Sequence, residues 1–503
     1  MKILIVENPR PLTVEHYNDV ANAPLSASLN SGYALAVARQ SGWETAYLDL
    51  TACRDDESVI AKKILAENAD MILIHWVYSW GSEDIVHDFL NILKKDHNGA
   101  IGAFGLFPTL AYERLLDFTP QLDFILVGEF EATLHVLLSN YLINESFTPM
   151  LGLHSSEIEL VRRELITDLS QLPSPDDVGT NCQYPTLNIS ASRGCFGDCS
   201  FCFINPFYGC SKRRERSVTS FKHELETRLK RRSVNSVYFI DPTFLGYDEK
   251  QTGRARDISA ILKANDVTFG FETRVDTVDE ELIGTLVKNG ATSIFLGIES
   301  GSEATLQRIN KRITREQIVR SVRAVQYSGI DLAVGFIMFE PDSTLADIME
   351  NYALLEELGL LSHHDQTVNM LYHSQIVLYG SKAWSEFAVQ GRLLLDKNLP
   401  FEASYKFKHD NVARVCDAMR RMSSEYFSKI DRLYQLKGTA GSERFACCHT
   451  SNPPGVNAND LNQVLKEAFL AYIKHADKSN SKQFRELENI FINGLRSCYS
   501  FSD

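Results

Sequence analysis

A chain of 503 residues with 44% apolar residues is too long for one ordinary hydrophobic core and is expected to fold as two to four soluble domains. No run approaches the roughly 18 uncharged apolar residues of a membrane span, and the opening MKILIVENPRP lacks a signal peptide's succession, so a cytoplasmic chain without a membrane partner is expected. A net charge of −14 argues against a nucleic-acid surface, and ten cysteines in that compartment read as reduced thiols rather than a disulfide frame.

Residues 1–145 alternate apolar strand-like runs (KILIVEN, ETAYLDL, DMILIHWV, GAIGAFG, DFILVGE) with helical stretches such as SGYALAVARQSGW and EDIVHDFLNILKKD. This order implies a Rossmann-like, doubly wound α/β domain with a parallel sheet, whose ligand crevice lies at the carboxyl ends of the strands. At those ends stand His75 and Trp76, then Gly105-Leu106-Phe107-Pro108, then Gly128-Glu129-Phe130-Glu131. Glycine turns there let a bulky ligand approach the backbone. His75 reads first as a hydrogen-bonded sheet-end histidine and second as a metal ligand. Residues 146–185 form a polar connector, in which the prolines of ITDLSQLPSPDD forbid a continuous helix.

From 186 to 380 the pattern becomes six strand–helix units, a partial (β/α)6 barrel: TLNISAS, SVYFID, TFGFETR, SIFLGIES, DLAVGFIMFEP and TVNMLYH as strands. Polar residues end successive strands: Asp241, then Glu272 and Arg274, then Glu299 and Ser300. Parallel barrels place their chemistry at that face. The loop after the first strand carries Cys195, Cys199 and Cys202. Three thiolates satisfy three irons of a cubane cluster and leave the fourth open to a ligand. A structural zinc site would need a fourth ligand, for which Cys210 is the nearby thiol. The basic run Lys212, Arg213, Arg214, Arg216 reads as a solvated helix start. Residues 381–503 have helical spacing and are expected to form a mostly helical lid that carries substrate selectivity; within them Cys447 and Cys448 are either buried small residues or a soft-metal or redox pair.

The cysteine run, with Arg193-Gly194 before it and Phe201 before its last thiol, resembles that of the radical S-adenosylmethionine (SAM) enzymes. The resemblance implies that Cys195, Cys199 and Cys202 hold a 4Fe-4S cluster whose open iron binds SAM, and that reduction cleaves SAM to a 5′-deoxyadenosyl radical. It also implies that Phe201 lies against adenine, that Gly297, Glu299 and Ser300 of the GIES strand end contact SAM, and that Asp241 and Arg274 meet its amino and carboxylate groups. Gly335 and Ile337 would offer backbone contacts to adenine. The strand ends of residues 1–145 are similar to those of the cobalamin-binding domain in one branch of that family, which implies corrin contacts from His75, Gly105, Leu106, Phe107, Gly128 and Glu129. The family's histidine motif for a lower cobalt ligand is missing.

The implied function is C-methylation of an unactivated carbon in a small or natural-product-type substrate, with cobalamin as methyl carrier and a flavodoxin or ferredoxin as one-electron donor. A rearrangement or cyclisation, a corrin-free radical enzyme, and a non-enzymatic cobalamin or iron–sulfur sensor are the alternatives.

Overall fold

The structure is a computed structural model and describes residues 1–9, 28–51, 53, 55–77, 83–144, 147–178, 186–396, 399–436, 457–477 and 481–499. Strands β1 (Lys2–Glu7), β2 (Glu44–Asp49), β3 (Met71–His75), β4 (Ala100–Phe104) and β5 (Phe124–Leu126) alternate with helices α1 (Leu29–Gln40), α2 (Glu57–Leu65), α3 (Glu83–Asp96), α4 (Leu106–Phe118) and α5 (Glu131–Asn144). The sheet order is β2-β1-β3-β4-β5, all parallel. Every residue of β3 and β4 is buried. That follows from their unbroken apolar runs, because helices cover both faces of such a sheet.

The connector after α5 is not a bare tether. It supplies β6 (Leu153–His154), which pairs antiparallel with β5. It also lays Ile158, Leu169, Leu172 and Val178 into the core under α1 and α5.

The central sheet runs β7 (Leu187–Ile189), β10 (Ser236–Phe239), β11 (Thr268–Arg274), β12 (Ala291–Glu299), β13 (Asp331–Phe336), all parallel. A small hairpin, β8 (Ser192–Arg193) with β9 (Arg214–Glu215), brackets the cysteine loop and the short helix α6 (Ile204–Tyr208). Helices α7 (Val218–Arg231), α8 (Glu249–Ala264), α9 (Glu280–Lys288), α10 (Glu303–Arg308), α11 (Arg315–Ser328) and α12 (Leu345–Glu357) follow the strands. Val237, Phe239, Phe269, Phe271 and Ile294 point outward into these helices and are buried. The alternating residues point inward, and several of them remain open: Ile240 is 39% exposed, and Tyr238, Glu272, Phe295 and Ala333 keep contact with solvent.

The expected sixth strand is absent. TVNMLYH lies in helix α13 (His364–Tyr372), with Thr367, Val368 and Leu371 buried on one side, and only a single parallel bridge, Phe339 to Ser374, continues the barrel. Their spacing of one and three residues is helical, and it overrode a short apolar run that suits either element.

The C-terminal part is also less helical than its periodicity suggests. Strands β14 (Val377–Leu378), β15 (Leu393–Asp396) and β16 (Leu399–Tyr405), with α14 (Lys382–Val389), form a small antiparallel sheet. Through Phe401 this sheet packs on Phe107 and Phe118 of the first domain. Helices α15 (Asp410–Leu436), α16 (Ala458–His475) and α17 (Ser481–Ser497) share one core with α12 and α13, built on Leu354, Leu371, Met419 and Phe469. Cys447 and Cys448 lie outside the described residues. No described helix is long and apolar enough to cross a membrane.

Candidate active site

The cysteine loop is pinned from several sides. Ser200 N donates to Ile309 O at 2.9 Å, and Ala383 N donates to Ser200 O at 2.9 Å. Asn205 Nδ2 donates to Gly197 O at 2.6 Å, and Asn310 Nδ2 to Asp198 O at 2.7 Å. Gly194 takes a left-handed φ of 81°, and a Cβ there would stand 2.2 Å from Lys212 O, so the residue before the first thiol has to be glycine.

Burial pushes the Cys195 thiol up, with the Gly197 N–H, Arg274 and Lys311 acting against it. Burial likewise pushes Cys202 up to about 12, and its neighbours Cys199 and Cys195 add to the rise. Thiols this hard to ionise become thiolates when a metal takes the proton's place.

Two buried cations face the loop. Arg274 Nη1 lies 3.8 Å from Cys199 Sγ, its guanidinium stacks 5.3 Å from the centre of the Phe196 ring, and Asp276 grips it through two bonds of 2.8 and 2.9 Å. A side chain on Gly197 would meet Arg274 Nη1 at 2.5 Å, so that glycine makes room for the arginine. Lys311, 4% exposed, donates to Glu299 Oε1 at 2.7 Å. Burial opposes its charge, but Glu299 and Cys199 more than offset this and raise it. Sequence reasoning missed Lys311 as a site residue; its signal was a lysine in step with Ile309 and Ile313, which are both buried.

Glu299 occupies a bulge where β12 loses register with β13, and its φ of 62° is left-handed. Such strain in a non-glycine residue costs about 1–3 kcal/mol and gathers at functional sites. Its carboxylate lies over two glycines. A Cβ on Gly297 would stand 2.7 Å from Oε1, and one on Gly335 would stand 3.5 Å from Oε2. Ile337 N closes the bulge by donating to Glu299 O at 2.7 Å. Thus Gly297, Glu299, Gly335 and Ile337 come together beside the thiols, and Phe201 sits half-buried in the loop itself.

Other predicted site residues are engaged elsewhere. Asp241 is fully buried; it accepts from Ala191 N at 3.0 Å and from Ser192 Oγ at 2.5 Å, and burial raises its carboxyl. Ser300 Oγ donates to Asn351 Oδ1 at 2.6 Å. Both oxygens of Asp241 thus brace the hairpin behind the thiols.

Where the first domain meets the barrel, Gly105, the left-handed residue before α4, lies under the His75 ring and Trp76 O. His75 is buried: Nδ1 bonds the Glu7 carboxylate at 2.9 Å, and Nε2 lies 3.4 Å from Asn30 Nδ2. Phe107 turns into the layer against Trp76, with ring centres 4.9 Å apart. Leu106 and Leu110 form an apolar patch with Val77, Phe203, Phe207 and Leu378. Gly128 looks onto Phe207 O, 3.5 Å from an added Cβ.

Glu129 accepts from Arg193 Nη1 at 3.2 Å, Arg214 Nη1 at 2.8 Å and Ile166 N at 2.9 Å, and Glu131 accepts from Arg193 Nη2 at 2.5 Å. The acidic pair therefore clamps the first domain to the hairpin that carries the cysteine loop. Burial works against the Glu129 charge, and the arginines hold its carboxyl below the usual range.

The residues fit the groups the resemblance implies. Three thiols on one half-buried loop, faced by two cations, suit an anionic cluster with one open iron. Among the described residues no set of three His, Cys, Asp or Glu side chains converges tightly enough for a single metal ion. A cubane with separate irons asks only one thiolate per iron. At the carboxyl ends of the strands, Gly105 and Gly128 lie beside the Leu106 patch, while the Trp76 indole, whose N–H has no partner among the described residues, is buried in the core with Phe107. That combination suits a large apolar macrocycle with polar arms.

Residues 189–355 match the Radical SAM superfamily, so the central part of the chain is a radical SAM domain. The chain's particular likeness is to members with a cobalamin-type first domain. Over its whole length the fold matches that of OxsB, a cobalamin-dependent SAM radical enzyme solved with aqua-cobalamin and SAM, at a TM-score of 0.74 and 18% identity over 76% of that chain. It also matches TsrM, a radical SAM methyltransferase from Kitasatospora setae, at a TM-score of 0.63 and 14% identity, covering 98% of this chain and 99% of that one. In sequence it is 25% identical to an uncharacterized methyltransferase of Pyrococcus horikoshii, over 85% of this chain and 92% of the relative. It is 23% identical to a hopanoid C-2 methylase of Rhodopseudomonas palustris, over 61% of this chain and 56% of that protein.

Proposed function

We propose that the chain is a cobalamin-dependent radical SAM enzyme that methylates an unactivated carbon of a small molecule. The observation that carries this reading is the loop of three largely shielded thiols facing Arg274 and Lys311, set against a Rossmann-like domain whose strand ends offer glycines and an apolar patch. When bound, the 4Fe-4S cluster and SAM supply a radical able to remove hydrogen from an inert carbon, and the corrin supplies a methyl group.

The chain's own residues position and shield these groups. Cys195, Cys199 and Cys202 hold the cluster, and the buried charges of Arg274 and Lys311 favour its anionic state. Gly297 and Gly335 leave space for SAM beside the Glu299 carboxylate, Ile337 fixes that turn, and Phe201 offers a ring face for adenine. Asp241 and Ser300 keep the strand ends in place. Gly105, Leu106 and Gly128 would hold the corrin's rim, with Trp76, Phe107 and His75 supporting them from within. Glu129 and Glu131 act through Arg193 and Arg214, fixing the distance between the two cofactor sites. A flavodoxin or ferredoxin supplies the electron.

The test is anaerobic reconstitution with iron, sulfide and hydroxocobalamin, followed by gel filtration and incubation with SAM and reductant. A retained corrin spectrum and release of 5′-deoxyadenosine are expected, with S-adenosylhomocysteine appearing once substrate is added. 5′-Deoxyadenosine without retained corrin would replace this reading with a corrin-free radical enzyme. Retained corrin without any 5′-deoxyadenosine would leave a sensor.

A further inference from the structure

Among the described residues, Glu272 in the barrel lumen is a carboxyl group without a counter-ion. On β11 the outward Phe269 and Phe271 alternate with inward Gly270, Glu272 and Arg274. Glu272 pairs in register with Phe295 and Arg274 with Gly297, so Glu272 lies one inward layer, about 7 Å, below the arginine that faces the thiols. Tyr238 spans the layer beneath: its ring covers Gly270, 2.8 Å from an added Cβ, and its hydroxyl donates to Glu272 Oε1 at 3.4 Å.

Several buried acids have cations, and Asp241 has an amide and a hydroxyl instead. Glu129 has Arg193 and Arg214, Glu224 has Arg216 and Arg228, Glu299 has Lys311, and Glu340 has Arg308. Among the described residues no cation pairs with Glu272. The charged or titratable groups that bear on it are Tyr238 and Asp241, while β12 and β13 present uncharged Phe295 and Ala333 at its level. Burial, with Asp241 adding to it, raises the Glu272 carboxyl to about 7. A carboxylate set among apolar walls and beside a like charge needs a cation or neutralises itself. The lumen is open at this level, so a ligand can bring that cation.

We propose that Glu272 and Tyr238 anchor the substrate, and that the substrate carries a protonated amine on a compact apolar or aromatic body. This rests on the radical SAM reading of the same barrel and names its substrate class. The amine would donate to Glu272, while the ring of Phe295 and the side chain of Ile240 flank the body. An amine held there leaves adjacent carbons at the level of Gly297 and Gly335, beside the thiol loop. A carboxylate or phosphate in the same place would meet Glu272 and Asp241 and be repelled.

The test uses the anaerobically reconstituted full chain and three probes of one shape: phenethylamine, 2-phenylethanol and 3-phenylpropanoate, titrated calorimetrically at about pH 6 and about pH 8, either side of the Glu272 value of about 7. Phenethylamine is expected to bind at least about tenfold tighter than the other two, and about five- to tenfold tighter at the higher pH, where Glu272 has lost its proton. Glu272→Gln should abolish both the preference and the pH dependence, with circular dichroism checking its fold. Tyr238→Phe should keep the preference with weaker binding. Equal binding of all probes, no binding of any, a preference for the carboxylate, or an unchanged preference in Glu272→Gln would each overturn the proposal. Release of 5′-deoxyadenosine by the wild type is read separately. Its absence would sink the radical SAM reading, while the probe ranking would still decide what the lumen accepts.

Discussion

Two parallel sheets in this molecule are built from the same strand–helix repeat, yet they treat their faces differently. In the first domain β3 and β4 are buried at every position, with helices on both sides. In the barrel β13 is buried only at its last residue, and β12 alternates buried and open positions over its first half. The closed sheet can offer ligands only its rim, at Gly105, Leu106 and Gly128. The open sheet offers a rim and a lumen beneath it. Their acids follow the same division: Glu129 and Glu131 at the closed sheet's edge are held by arginines from the neighbouring hairpin, whereas Glu272 inside the open one is not. Burial on both faces makes a platform, and burial on one face makes a vessel.

The sharpest way to break this contrast is at the vessel's rim. Cys199→Ser removes one of three cluster ligands, and release of 5′-deoxyadenosine should fall by about a thousandfold or more, together with loss of the visible iron–sulfur absorbance. Activity that survived with two thiols would mean that the loop is not the cofactor's seat.

The platform is next. Arg193 is buried with Glu129 and Glu131, so Arg193→Ala strands Glu131, leaves Glu129 only Arg214, and should cost about 3–5 kcal/mol at the domain junction. Urea unfolding should show the two domains separating into distinct transitions. One unchanged cooperative transition would show that the apolar contacts of Leu106, Phe203 and Phe401 hold the junction unaided.

Much of this was legible in the sequence, because continuous apolar runs separated by amphipathic stretches report a doubly wound sheet and three spaced cysteines report a loop ligand set. The short TVNMLYH run was not legible, since one apolar segment of that length serves a helix or a strand equally well. Nor were the roles of Lys311 and Arg193. A lysine or arginine reads as surface until its partner is known, and Glu299 lies 12 residues from Lys311 while Glu129 lies 64 from Arg193. The antiparallel sheet from 377 to 405 escaped because its strands are short and docked on another domain, where tertiary packing outweighs local pattern.

Lys311→Met probes the rim more gently. It leaves the Glu299 carboxylate without its cation and removes one of two charges facing the thiols. SAM-dependent activity should fall about ten- to a hundredfold while the iron content stays near that of the wild type. An unchanged KM for SAM would place Glu299 away from that cofactor. Gly297→Ala should raise the same KM by pushing the ion pair aside, because its methyl would stand 2.7 Å from Glu299 Oε1 and 2.9 Å from Lys311 Nζ.

The smallest effect belongs to the lumen and can be read without any ligand. Glu272 has its proton affinity raised from 4.5 to about 7 by burial, so between those pH values the folded chain keeps a proton that the unfolded chain has released. Stability then falls as pH rises through that window, and above it the folded chain carries the full cost of an unpaired carboxylate. At about 1.4 kcal/mol per pKa unit, reduced because the carboxyl faces an open lumen, the loss comes to about 1–2 kcal/mol. Glu272→Gln removes the titration. Its melting temperature at about pH 8 should exceed that of the wild type by a degree or a few, with the gap closing below about pH 5. Parallel melting curves across the whole range would mean that water or an unseen cation already compensates Glu272, and the vessel would then be as settled as the platform.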